Sequence, residues 1–123
     1  MALDIRVEDA AALTKRVYLK GRLDNEALAD FERQVEAVLA AAVKVVVLDL
    51  SGLEYITSDG LRIMFKAQKA MKARAGKLLL INPQPTVQKV MDIMKVLEVS
   101  VFKSVQELDA YLDAMQKKVA EGD

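Results

Sequence analysis

Apolar positions along the chain switch between two periods. LDIRV at 3–7 alternates apolar and polar as a half-buried strand does, and RVYLKGRL at 16–23 alternates again, with Val17, Leu19 and, less cleanly, Leu23 on one side. Between Asn25 and Ala42 the spacing changes. Leu28, Phe31, Val35, Val38, Leu39 and Ala42 recur at three- and four-residue steps, which predicts an amphipathic helix capped by Asp24 or Asn25. KVVVLDL at 44–50 is a continuous β-branched run, expected of a strand buried on both faces. A second helix is predicted over about 59–75, with Leu61, Met64, Phe65, Met71 and Ala75 toward the core and Gly76 as its C-cap. KLLLIN at 77–82 reads as another buried strand. Residues 83–97 give a third helix, with Pro85 in its first turn and a stripe of Val87, Val90, Met91 and Met94. VSVFK at 99–103 reads as a last short strand. Ser104 with Glu107 forms a capping box for the final helix, whose inner face is Val105, Leu108, Tyr111, Leu112 and Met115.

Strands alternating with helices imply an α/β fold, with a mixed central sheet of about five strands covered by about four helices. No repeat or linker interrupts the order, so one domain is expected over 3–115, followed by a helix end and fraying tail at 116–123. Strand ends are where such folds usually meet ligands and partners. Ser58 lies just past one of them.

Composition removes most chemistry. The chain has no Cys, which excludes disulfides and thiolate sites, and no His, the usual base near neutral pH and the commonest metal ligand. With 18 basic and 18 acidic residues the formal net charge is zero, which argues against a direct nucleic-acid partner. The longest apolar run, AVLAAAV at 37–43, is far short of the ~20 residues of a membrane span. The first ten residues carry acids and lack the order of a signal peptide, so a cytoplasmic protein with no membrane insertion is expected. Five scattered glycines form no phosphate loop, and no paired carboxylates indicate hydrolysis. No self-contained active site, cofactor or metal is expected.

Within YITSDGL, 55–61, Ser58 admits two readings. A serine at a helix start caps a backbone N–H; the same place suits a phosphate, because free N–H groups and the positive dipole end point outward. Beside it, Arg62, Lys66 and Lys69 share one side of the second helix with no acid between them, and Ile63 lies nearly opposite the core side. This is either a solvated basic face with one stray apolar residue or a docking surface for an acidic partner. Asp49, Glu8, Asp9 and Lys103 also invite comparison with a response-regulator receiver, in which Asp49 would bind Mg²⁺ or accept a phosphoryl group. About six residues separate Asp9 from the second strand, too few for the helix a receiver needs there, and Asn82 and Ser104 depart from its pattern.

GRLDNEAL (21–28), VVVLDLSGLEYITSDGLRIM (45–64), KLLLINPQPTV (77–87) and VFKSVQELDAYL (101–112) together resemble the STAS domain, the sulfate-transporter and anti-sigma-factor-antagonist domain, over roughly residues 3–115. The resemblance is to free-standing bacterial anti-sigma factor antagonists. It implies that Ser58, followed by Gly60, is a phosphoacceptor. It also implies a cycle in which the unphosphorylated domain binds an anti-sigma factor and frees a sigma factor. The anti-sigma factor, often also a serine kinase, then phosphorylates the domain and lets go, and a serine phosphatase resets it. The protein would be a substrate and binder, not an enzyme. The implied partner surface is Gly21, Asp24 and Asn25 with Thr57, Ser58, Asp59, Gly60 and Ile63, extended by Arg62 and Lys66.

Thr57 stands where the family usually has Asp, and an acid, Asp59, follows the serine instead. Two unit charges about 4 Å apart in water repel by ~1 kcal/mol. Asp59 therefore slows phosphorylation, redirects it to Thr57, or partly mimics the phosphorylated state. The competing expectation is an unphosphorylated STAS scaffold using the same surface in another signalling or lipid-transport complex.

Overall fold

The computed structural model describes residues 3–96 and 105–122. In chain order these form β1 (Leu3–Ala11), β2 (Thr14–Leu23), α1 (Leu28–Ala40), β3 (Val45–Ile56), α2 (Ser58–Ala73), β4 (Lys77–Ile81), α3 (Pro85–Val96) and α4 (Val105–Ala120). The sheet runs in the order β1-β2-β3-β4. β1 and β2 are antiparallel, whereas β2–β3 and β3–β4 are parallel, so the sheet is mixed as expected. The strand expected at 99–103 and the Ser104–Glu107 box, with Val105 and Leu108, lie outside the described residues and side chains.

β1 and β2 form a hairpin with Ala12 and Leu13 at its tip, longer than the apolar alternation indicated. Its outer half, around Glu8–Lys15, is largely exposed and runs two acids into four successive apolar residues, so it carries no alternating period to detect. No helix separates the two strands, so a receiver layout is not formed.

Inward residues of the sheet, among them Leu3, Val17, Leu19, Val46, Leu48, Leu50 and Leu78, join Phe31, Val35 and Val38 of α1 in one buried cluster. Leu61, Met64 and Met71 of α2, Val87, Val90 and Met91 of α3 and Leu112 of α4 complete it. All four helices therefore contribute to one core on one side of the sheet. This corrects the expectation of burial on both faces for 44–50 and 77–82. Val45 and Val47 are only partly buried, and Leu79 is 44% exposed on the outer side. Their β-branched and apolar character reflects lateral neighbours across the ladder, such as Val47 beside Leu79, rather than a second helical layer.

β3 continues six residues past its expected end. Register shifts opposite Tyr18–Lys20 and Gly21–Arg22 change the inward spacing from two to three, so that Leu50, Leu53 and Ile56 all point into the core with no accessible surface. Gly52 permits the close pairing: a Cβ there would stand 2.9 Å from the Leu19 carbonyl oxygen. The extension delivers Thr57 and Ser58 to the core side of the sheet rim.

Helix ends also differ in detail. Asp24 Oδ1 accepts from the Glu26 and Ala27 N–H groups at 3.1 and 3.2 Å, closing a turn that delays α1 until Leu28. After α2 the left-handed position belongs to Ala75, φ +61°, and not to Gly76. Gly76 is needed for space, since a Cβ would lie 2.7 Å from the Lys44 carbonyl oxygen. Phe65 is only partly buried, and Tyr111, expected inside, is 47% exposed.

Candidate functional site

Thr57, not Ser58, caps α2. Its backbone is extended, and its Oγ1 accepts from the Gly60 N–H at 3.2 Å. Its own N–H donates to the Leu23 carbonyl at 3.1 Å, which ties the helix start to the end of β2. Gly60 lies in the same contact, because a Cβ there would meet Leu23 side-chain carbons at 2.8 Å.

With capping assigned to Thr57, the Ser58 hydroxyl has another partner. Ser58 is the first residue of α2 and has no accessible surface. Its Oγ donates to Asp109 Oδ1 at 2.5 Å, and its N–H donates to the same oxygen at 3.2 Å. Two further side chains on this face of α4 continue the junction. Asp113 Oδ1 accepts from the Tyr55 hydroxyl at 2.9 Å. Gln116 Oε1 accepts from the Ile56 N–H at 2.9 Å, and its Nε2 donates to the Ile56 carbonyl at 2.8 Å. Burial and the bond to Asp113 push the Tyr55 hydroxyl up to about 12, while Tyr55 and Lys117 hold the Asp113 carboxyl below its ordinary value. The Arg22 guanidinium stacks on the Tyr55 ring at 3.9 Å.

Asp109, Asp113 and Gln116 were absent from the sequence-based expectations. Their spacing of four and three residues puts them on one helix face, but a polar stripe of that kind ordinarily reads as solvated. The only sequence signal was Leu112 between them, at core spacing.

The expected partner residues divide into four groups. Asp59, Arg62, Ile63 and Lys66 line an open cleft of about 470 Å³ with Leu28, Ala29 and Glu32 of α1. Thr57, Ser58 and Gly60 are buried and line no part of that cleft. Asp24 and Asn25 belong to the turn before α1, whereas Gly21 lines a different cleft, of about 690 Å³, on the outer face of the sheet. Two details of the basic face change. Ile63 does not stand opposite the core; it packs against it from the groove between α1 and α2. No acid lies between Arg62, Lys66 and Lys69, but Asp59, one turn before them, pairs with Arg62 Nη1 at 2.8 Å.

Asp49 is a structural charge. Only 4% exposed, it accepts from Arg16 Nη2 at 2.6 Å and from the Ser51 N–H at 3.0 Å. Burial alone would raise its pKa, but Arg16 and Ser51 outweigh this and hold it at about 2. Glu8 accepts from Tyr18, and Asp9 pairs with Lys15. Among the described residues, no three acidic or other ligating side chains gather as a metal site. None of the described helices is long and apolar enough to cross a membrane.

Comparison with known proteins gives the family of this fold. The family model described as "STAS domain" matches residues 6–108. The Anti-sigma F factor antagonist of Lysinibacillus sphaericus is 27% identical over 89 residues, covering 72% of this chain and 76% of that protein. The anti-sigma factor antagonist SpoIIAA in its unphosphorylated form superposes with a TM-score of 0.67 at 26% identity, over 76% of this chain and 82% of that one. SpoIIAA, described as a Bacillus cell fate determinant, in the phosphorylated form gives a TM-score of 0.63 at 25% identity, over 74% and 83% of the two chains.

Proposed function

The chain belongs to the STAS domain family, and from that premise we propose that it is an anti-sigma factor antagonist whose binding is switched by phosphorylation of Ser58. The observation that carries this reading is the division of labour at the start of α2. Thr57 holds the cap, which leaves the Ser58 hydroxyl free of any helix-forming duty, and Asp59, Arg62, Ile63 and Lys66 of the same helix line an open cleft against α1. A structural relative exists in both unphosphorylated and phosphorylated forms, and a curated relative is named for antagonising an anti-sigma factor.

The geometry also bears on Asp59. Its ion pair with Arg62 offsets the negative charge beside the acceptor, which argues against Asp59 as a standing phosphate mimic. A phosphate on Thr57 would cost α2 its cap, whereas the Ser58 hydroxyl makes no bond within its own helix, which favours Ser58 over Thr57. In this scheme the protein catalyses nothing. An anti-sigma factor with serine kinase activity transfers the phosphoryl group from ATP, separates from the modified domain, and a serine phosphatase restores it. All of this takes place in the cytoplasm.

The burial of Ser58 favours a second reading, a scaffold that is never modified. Intact-mass measurement with site mapping on protein from its own cells separates the two. A phosphate at Ser58 that Ser58→Ala lacks supports the switch. A protein unmodified across growth phases and stress refutes it.

A further inference from the structure

The candidate phosphoacceptor lies beneath α4. Both donors of Ser58 face one carboxylate oxygen of Asp109, and no surface of Ser58 reaches solvent. Along the same face, Asp113 holds Tyr55 and Gln116 brackets Ile56, so α4 is fastened by polar bonds to residues 55–58, the strand end and helix start that carry the site. Apolar anchoring from the described side chains of α4 is confined to Leu112 and, in part, Met115. A helix held in this way is sensitive to charge at its contact point.

We propose that α4 is a latch closed by Asp109 over Ser58 and released by phosphate at that serine. The inference rests on Ser58 as the acceptor. In the transfer, Ser58 Oγ forms a bond to the γ-phosphorus of ATP held by the partner kinase. The bond from that phosphorus to ADP breaks, and the hydroxyl proton leaves to the kinase's base. The hydroxyl donor is then gone, and only the Ser58 N–H remains to Asp109. In the hydroxyl's place stands a bulkier group of roughly −1.5 to −2 charge, facing a carboxylate at a position with no accessible surface. Charge and volume both oppose the closed arrangement. The first turns of α4 must move, and the surface beside Asp59 and Arg62 is remodelled with them. The same closure shields Ser58 beforehand, so a kinase reaches it only when α4 opens.

The test needs no identified kinase. Phosphoserine is installed at position 58 by genetic encoding, and amide hydrogen exchange is read across 109–116, with amides of 46–50 in β3 as an internal reference. The latch requires exchange in α4 faster by roughly tenfold or more, since a charge-assisted bond has been replaced by repulsion. Adding Asp109→Asn to the phosphorylated protein supplies an amide donor to the phosphate and must restore most of the protection. Unchanged α4 exchange in the phosphorylated protein overturns the proposal, as does a loss that Asp109→Asn leaves unaltered. If phosphoserine unfolds the domain, seen as lost protection of the reference amides, Asp109→Ala with unmodified Ser58 decides. Faster α4 exchange over an intact reference supports the latch, and unchanged exchange overturns it. An unmodified Ser58 in living cells would refute the switch yet leave this result standing.

Discussion

Replacing Gln116 should expose how firmly α4 is bound to the strand end. Gln116 is 2% exposed, and its amide satisfies both backbone groups of Ile56, with a further bond from Nε2 to the Leu112 carbonyl at 3.2 Å. Ile56 lies beyond the β3–β4 ladder, which ends at the Asp49–Ile81 pair, so among the described residues no strand on that side replaces Gln116. Gln116→Met keeps most of the volume and removes every bond. Two buried backbone groups left unsatisfied cost about 1–3 kcal/mol each, so a loss of about 2–4 kcal/mol is expected once partial access of water is allowed. Gln116→Glu keeps an acceptor for the Ile56 N–H but sets a carboxylate against the Ile56 carbonyl, and should cost at least as much at neutral pH. Urea unfolding of the three proteins, with equal slopes, reads these differences directly. A Gln116→Met protein within about 0.5 kcal/mol of the parent would refute the view that this pair is a structural junction.

Asp49 should make the fold acid-sensitive in a defined window. Its folded pKa of about 2 lies below the ordinary 3.8, so its contribution is complete above about pH 5 and is lost as pH falls toward 2. With Arg16 partly solvent-screened, that contribution is about 1–2 kcal/mol, and Arg16→Met should flatten the pH dependence of urea unfolding in this range. A slope equal to that of the parent would remove Asp49 as its source. Ala75→Gly should raise the melting temperature by about 1–3 °C, because relief of the left-handed strain at φ +61° exceeds the added freedom of the unfolded chain. Lowered stability would show that Ala75 is not strained. Gly60→Ala should destabilise by about 1–3 kcal/mol through the 2.8 Å approach to Leu23, and Leu23→Val should recover part of the loss. Additive penalties in the double variant would contradict that contact.

Period and turn chemistry made much of the fold legible. α3 begins at Pro85 as its first-turn proline indicates, and α1 carries the predicted buried faces of Phe31, Val35 and Val38. Two failures have the same cause: the sequence pattern reports burial, and burial depends on what lies across the sheet. The runs at 44–50 and 77–82 resemble strands enclosed on both sides, yet Leu79 faces outward. The tail of β3 was hidden because its bulges replace a period of two with steps of three. The candidate serine was legible from its place in YITSDGL, but its partner was not. Asp109 stands 51 residues away on a polar helix face that local reasoning assigns to solvent. The exchange of roles between Thr57 and Ser58 was equally invisible, because either hydroxyl can cap a helix and only the position of Leu23 and Gly60 settles which one does.

Under the proposed switch, the placement of polar bonds would let the domain change its face without losing its fold. Apolar burial is non-directional and insensitive to one added charge at a distance, so Leu61, Met64 and Met71 hold α2 to the sheet whatever happens at Ser58. The α4 junction is of the opposite kind. Its bonds from Ser58, Tyr55 and Ile56 each depend on one donor and one acceptor in register. Removal of a single donor, with a phosphate in its place, converts the first of them from attraction to repulsion. In the proposed switch, Leu61 belongs to the contacts that a phosphate leaves alone and Ser58, three residues earlier, to those it would break.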